Sequence, residues 1–479
     1  MMKGFLAIVK LTCRSAIRSN VFRFLLFLLI VSVILVPNTL KGDGTAQGFI
    51  QVMLQYSTAF TAFILSVSII WLSCSELCTD AENGQLHMIV VKPVSRITIF
   101  AGKFTGVFLI HFVLLVIAFV FIYIFTMFQY ARQEFTPQER ARLENEVFTG
   151  RRAFTPYLGN LDEKVQKELA RRVENAKRTG EALPELTGEG RRKYLANLKM
   201  EILSKEGEVR SGQTKTWYYM GLPKEYKGPV YVGFKIYSGE VGSKNQKIGM
   251  GMWLIRYVQK IYDENVKDSS GKPVLKGTQE IPLQMAPEQI LTSAYKEFTV
   301  PGDVLIHDGT ASLGFVNLQN KDSETMFFQV TQSPRLLIRE TSFISNYIRA
   351  MFVVAMGLFV LGMISCSFAG FLSMPTAVFL TLSYILAGLF SSYLGANLDL
   401  SPGAEFLDVA GGVLAFAMSH LLISVQSFAV SDYLATGTLI EYGMMLHLLF
   451  VNMIIKVLPV CLLGVYLYHR RELALAMKQ

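Results

Sequence analysis

The chain has 479 residues, of which 51% are hydrophobic and 17% charged, with a mean hydropathy of +0.37 and a formal net charge of +9. That balance is too apolar for an ordinary soluble protein and too polar for one held throughout in lipid, so both environments must be present. Part of the positive charge collects beside apolar stretches, and it gives no support to a nucleic-acid partner.

At the amino end, Lys3, Lys10, Arg14 and Arg18 recur at steps of seven and four, which places them on one stripe of a helix over residues 1–20, with Phe5, Ile8, Val9 and Ile17 on other faces. Such a helix suits the cytoplasmic interface, where it either anchors to anionic membrane lipid or borders the docking site of a partner. Crossing a hydrocarbon core of roughly 30 Å takes about 20 apolar residues. The stretches that qualify are Val21–Leu40, Thr58–Leu77, Phe104–Met127, Ala350–Gly370, Thr376–Leu394 and Gly443–Tyr468, so six transmembrane helices are expected. The first lacks a small-residue cleavage site and is expected to remain as an anchor rather than leave as a signal peptide.

Lys and Arg in the short loops set the orientation, because the cytoplasmic side retains them. Lys3 to Arg18, Lys92, Arg96 and Lys103, and Arg470, Arg471 and Lys478 agree if six spans hold. Both termini and the Ser75–Lys103 loop are then cytoplasmic, and the segment from about Phe128 to Arg349 lies outside. Helices 1–3 occupy residues 21–127 and helices 4–6 occupy 343–479. The stretch 411–430 is apolar enough to cross, yet it carries Ser419, His420, Ser424, Gln426 and Ser427, and a full crossing would export the Arg-Arg tail. It is expected to lie on the outer surface or to dip in and return, as a re-entrant helix.

The loop at about 75–103 is the most informative segment. Glu76 and Asp80 sit one turn apart and lead into Glu82, Asn83, Gly84 and Gln85; Gly84 can break the helix, and Leu86, Met88, Ile89 and Val90 form an apolar patch. Pro93 then stops one element, Val94 follows, and Ser95 is placed to cap a helix that begins at Arg96 and runs through Gly102 and Lys103 into the third span. A bent helix pair that offers acids and apolar groups together has the form of a docking element.

The external segment changes character along its length. Residues 128–212 are dense in Glu, Arg, Lys, Ala and Leu at helical spacing and predict a helical region. Residues 213–342 hold short runs, Val230–Tyr237, Gly249–Tyr257, Ala311–Asn317 and Met326–Thr331, separated by Gly, Pro, Asn and Asp, which predicts an antiparallel β-sandwich. The fold class expected is thus an α-helical integral membrane protein with an inserted α+β extracytoplasmic domain. Trp217, Tyr218 and Tyr219 fit either the sandwich core or a ligand platform.

Catalytic motifs are absent: no GxxxxGK[ST], HExxH or GxSxG occurs. Cys13, Cys74, Cys78, Cys366 and Cys461 all fall in or beside spans and read as small packing residues, with no metal spacing. His307-Asp308, in the turn IHDG, reads as part of a hairpin. Inside the spans, Asn452 and Lys456 share a face of the last helix, with His447 about two turns above Lys456. A lysine at that depth must reach water, an acid or carbonyls, so these residues either line a substrate route or subunit contact, or the lysine snorkels or pairs locally. His111 in the third span reads as an interhelical hydrogen bond.

At Glu82, Gly84, Pro93-Val94-Ser95-Arg96 and Gly102-Lys103 the chain resembles the membrane subunits of type-2 ABC exporters, in particular the branch grouped with copper-enzyme maturation and gliding permeases, where such a run marks the cytoplasmic coupling helix. Phe371-Leu372-Ser373-Met374-Pro375, Leu434–Ile440 and Arg470-Arg471-Glu472-Leu473 are similar to later segments of that family. The likeness covers residues 1–127 and 343–479 and leaves out the insertion, and Gly84-Gln85 stands where Gly-Thr is commoner. It implies a permease of the bacterial inner membrane, paired with a second permease subunit and with a cytoplasmic ABC ATP-binding subunit. ATP and Mg would belong to that partner, and this chain would bind no cofactor and have no ATPase site. Movement of the partner would act on Glu76, Asp80, Glu82, Asn83, Gly84, Gln85, Met88, Pro93, Val94, Ser95 and Arg96. The competing reading is a membrane-anchored scaffold or binding protein whose external domain holds a ligand without transport.

Overall fold

The computed structural model describes residues 2–39, 46–82, 94–180, 188–238, 248–267, 273–292, 295–319, 325–328, 334–394 and 406–470. Asn83, Gly84, Gln85, Met88, Pro93 and Arg471 lie outside them. The chain divides into two compact units: Met1–Gly150 with Thr341–Leu400 and Val409–Gln479, and Arg151–Glu340 with Ser401–Asp408.

The first unit opens with α1 (Met2–Arg18), which turns by 70° into α2 (Asn20–Thr39). Next come α3 (Ala46–Glu82) and α4 (Arg96–Arg132), each of 37 residues. At 1.5 Å per residue each reaches about 55 Å, beyond a hydrocarbon core of about 30 Å, so their ends project from it. Ser95 caps α4: its backbone is extended and its hydroxyl accepts the Thr98 N–H at 3.2 Å. Thr136 and Glu139 bond reciprocally to open the short α5 (Pro137–Arg142), which ends in a π-turn, Leu143–Val147.

The second unit is rich in strands: β1 (Thr149–Phe154), then α6 (Leu161–Thr179) and α7 (Gly188–Gly207), then β2 (Glu208–Val209), β3 (Thr214–Met220), β4 (Pro229–Ser238), β5 (Ile248–Lys267), β6 (Pro273–Gln284), β7 (Glu288–Leu291), β8 (Tyr295–Pro301), β9 (Ile306–His307), β10 (Thr310–Asn317), β11 (Met326–Phe328) and β12 (Arg335–Ser342). One six-stranded sheet runs β1-β12-β4-β11-β2 with β8 also on β4; the other runs β3-β10-β5-β6 with β7 on β5 and β9 on β10. Val230, Val232, Phe234 and Ile236 enter the core on alternate positions of β4, as the pleat of a strand requires, and Tyr231 and Gly233 on the other face are buried as well. Trp253 of the second sheet meets Phe234 and Phe298 of the first at 4.9 and 5.3 Å, so both sheets share one core. Trp217 and Tyr219 belong to that core, while Tyr218 between them faces out.

Asp308 and Gly309 both take positive φ, 50° and 79°, and join β9 to β10 in a two-residue hairpin turn. That is the structural role read for His307-Asp308. The expected helical region 128–212 is interrupted by β1 and β2. β1 hides in the sequence because Arg151, on its buried face, looks like a solvent residue; Glu297 offsets its charge at 2.7 Å.

The chain returns to the first unit as α8 (Phe343–Ala369), α9 (Met374–Leu394), α10 (Phe406–Leu421), a 3-10 turn (Val425–Phe428), α11 (Ser431–Ala435), α12 (Tyr442–His447), a π-helical stretch (Leu448–Lys456) and α13 (Val457–Arg470). Among the described residues, Gln47–Cys78, Arg96–Arg132, Phe343–Ala369 and Tyr442–Arg470 are long and apolar enough to cross a membrane, and α1 and α2, bent by 70°, reach that length only if counted together as a fifth. Six spans were expected. The sixth expectation falls on α9, an apolar helix of 21 residues that reaches about 31 Å at 1.5 Å per residue.

The residues 411–430 do not form one helix. α10 ends at Leu421, and that end rests against the middle of α9: the Tyr384 hydroxyl donates to the Leu421 carbonyl at 3.3 Å, and Gly388 leaves no room for a Cβ beside the Ile423 carbonyl. Contacts also order the two ends of the helical unit. Glu76, Cys78, Arg96, Lys103, Ala369, Leu372 and His469 gather at one, and Gln47, Glu146, Asn346, Thr438 and Ile440 at the other.

Candidate functional site at one end of the helical unit

α3 and α4 run antiparallel into and out of the 83–93 segment, and a buried ion pair closes the gap between them. Lys103, 3% exposed, donates its ammonium to the Glu76 backbone carbonyl and sits 3.8 Å from the Glu76 carboxylate. A lysine there is tolerable only because both an anion and a carbonyl receive it. Asp80 and Glu82 lie in the last turns of α3.

The other side of the segment is tied as well. Val94 is half-buried and would lie 3.5 Å from a Cβ on Gly4 of α1, whereas Ser95 is exposed. Arg96, half-buried, donates to the His469 carbonyl at 2.6 Å near the end of α13. Three separate helices, α1, α3 and α13, therefore contact the start of α4 within a few residues. Lys103 and the α13 carbonyl are partners that sequence spacing could not reveal; the mark it left was a lysine one residue after a glycine inside an otherwise apolar helix.

The basic residues of α1, Lys3, Lys10, Arg14 and Arg18, are all exposed. Its opposite side, Ile8, Val9, Thr12 and Ala16, is buried. The stripe is thus on the outside of the helix and not on its seat.

The intramembrane polar residues separate. His111 is fully buried, with Nε2 2.9 Å from the Ser68 hydroxyl of α3 and Nδ1 2.8 Å from the Val107 carbonyl, which is a helix-to-helix hydrogen bond. His447 is exposed, Asn452 buried and Lys456 half-buried. His447, nine residues before Lys456, is thus on the open side of the helix and does not join the other two. Lys456 donates to the Leu422 carbonyl at 2.9 Å, at the carboxyl end of α10, where unsatisfied carbonyls and the negative end of the helix dipole attract a cation.

At the opposite end, Asn346 holds the 434–440 segment with both halves of its amide: its Nδ2 donates to the Thr438 carbonyl at 2.8 Å and its Oδ1 accepts from the Ile440 N–H at 2.9 Å. Arg349 adds a bond to the Ile440 carbonyl at 3.0 Å and lies 4.0 Å over the Tyr442 ring. A cavity of about 450 Å³ opens between α3, α8, α9 and the 3-10 turn, apolar apart from a few groups such as Thr58, Gln426 and Ser431. The Thr58 hydroxyl, in a residue 1% exposed, has no hydrogen-bond partner among the described residues. None of the five cysteines is in a disulfide, and no group of possible metal ligands occurs among the described residues.

Residues 15–137, from the end of α1 to the first residue of α5, match the family described as ABC-2 family transporter protein. The match supports a permease subunit of an ABC transporter, a class that is normally a non-catalytic transporter subunit with a separate ATP-binding partner. No curated protein and no solved structure matches the chain.

Proposed function

We propose that this chain is the permease half of an ABC exporter and that the base of the 83–93 segment receives force from a separate cytoplasmic ATP-binding subunit. The family match over residues 15–137 carries the reading, because it spans α2, α3 and α4 and the segment between them. The tight join of α3 to α4 at Glu76 and Lys103, and of Arg96 to α13, supports it: a push on the segment would be passed to several helices at once. The coupling residues proposed are Glu76, Asp80, Glu82, Asn83, Gly84, Gln85, Met88, Pro93, Val94, Ser95 and Arg96.

In this reading the end that gathers Glu76, Arg96 and His469 faces the cytoplasm, with both termini, and a second permease subunit completes the pathway. α9 and α10 then form a crossing and a half-return, the two external sheets form a sandwich, and the protein sits in a bacterial inner membrane. ATP and Mg belong to the partner. The test is co-expression with candidate ABC ATP-binding subunits, followed by purification and ATPase assay. One subunit should be retained and stimulated, and replacement of Glu82 by Gln or of Gly84 by Val should uncouple hydrolysis from transport while membrane insertion stays normal. Retention of no subunit after mild extraction would leave the scaffold reading.

A further inference from the structure

α1 presents three distinct faces. Ile8, Val9, Thr12 and Ala16 are buried, and two glycines of α4 form their seat: a Cβ on Gly102 would come 2.8 Å from Ile8, and one on Gly106 would come 2.8 Å from Thr12. Glycines four apart let helix backbones approach this closely. The neighbouring sector is apolar yet open, with Met2 78%, Leu6 58% and Ile17 58% exposed. Beyond it lie Lys3, Lys10, Arg14 and Arg18, exposed, in a helix that contains no acidic residue.

An apolar strip beside a cationic strip fits the boundary between acyl chains and phosphate headgroups, where one strip enters hydrocarbon and the other meets anions. The 70° turn from α1 into α2 lays α1 across the direction that the membrane-crossing helix takes, which brings both strips to that boundary. We propose that the open face of α1 binds anionic phospholipid headgroups of the adjoining leaflet. Met2, Leu6 and Ile17 enter the acyl region, and Lys3, Lys10, Arg14 and Arg18 contact the phosphates. Because Gly102 and Gly106 flank Lys103, a bound headgroup layer steadies the same stretch of α4 that holds Glu76.

The test places the full chain in phosphatidylcholine nanodiscs that carry either spin-labelled phosphatidylglycerol or spin-labelled phosphatidylcholine, and reads the motionally restricted fraction of each label. The wild-type chain should restrict phosphatidylglycerol over phosphatidylcholine, with a preference that weakens as salt rises. The variant Lys3→Gln, Lys10→Gln, Arg14→Gln, Arg18→Gln should lower that preference roughly fivefold or more, whereas Leu6→Ser with Ile17→Ser should keep the preference and restrict fewer lipids of both kinds. If the fourfold variant fails to fold, Lys10→Gln and Arg14→Gln alone should each show a partial loss, and no loss in either overturns the proposal. An unchanged preference in a folded fourfold variant overturns it too, and if that variant also loses a co-purifying subunit, a protein and not lipid covers the face.

Discussion

Lys456 and Lys103 are two lysines in apolar surroundings that are satisfied in different ways. Lys456 meets the carboxyl end of a helix through the Leu422 carbonyl. An interhelical hydrogen bond in lipid is worth about 1 kcal/mol, and removing a cation from that depth returns a comparable amount. Lys456→Met should therefore leave overall stability nearly unchanged but loosen the end of α10, so that hydrogen–deuterium exchange over residues 418–424 speeds up about fivefold; unaltered exchange there would show that the bond restrains nothing. Lys103 is different, because its removal takes a cation away from the buried Glu76 carboxylate. Lys103→Met should cost about 3 kcal/mol, read as a fall in the thermal midpoint of the detergent-solubilised chain.

At the scale of elements, α6 and α7 illustrate an apolar contact bordered by charge. Their apolar contact centres on Val165, Leu169 and Leu198; Arg172 bonds Glu168 of its own helix at 3.0 Å and reaches across to Glu201 at 2.7 Å. The hydrogen bonds from Arg172 and then Lys205 draw the Glu201 carboxyl down to about 2. A folded-state value below the unfolded one stabilises the pair above the ordinary carboxylate range, and that contribution is lost as pH falls from about 4.5 toward 2. Because the group is substantially exposed, the effect should also shrink in salt. Relative to the intrinsic exchange rate, amide protection in α6 and α7 should thus fall between pH 4.5 and 2 in the wild-type chain and be flatter in Glu201→Gln; matching profiles would remove the charge argument.

The strands show how far local pattern reaches. β4 and the His307-Asp308-Gly309-Thr310 hairpin are legible, because alternation and an Asp-Gly turn are properties of adjacent residues. β1 is not legible, since the buried Arg151 depends on Glu297 from far along the chain.

For the molecule as a whole, topology is the decisive quantity. In the proposed arrangement a cysteine at position 471 is labelled only from the cytoplasmic side and one at exposed Tyr157 only from outside, in a background without the native cysteines. Labelling of both from one side would change the parity of crossings, and labelling of position 157 from the cytoplasm would remove the docking segment from it. The count of spans could not be closed by hydropathy, because the polar stretch after α10 folds back against α9 in place of a clear crossing.

The amino-acid order alone determined the features set by near neighbours: which stretches are apolar enough for lipid, the Ser95 cap, the basic stripe of α1 and the alternation of β4. Tertiary structure decided which carbonyl receives Lys456, which helix Gly102 and Gly106 seat, and how Asn346 grips the 434–440 segment. The reason is physical: a cap or a pleat is closed within a few residues, whereas a buried cation or a helix seat is satisfied by groups tens to hundreds of positions away, whose arrival depends on how the whole chain packs.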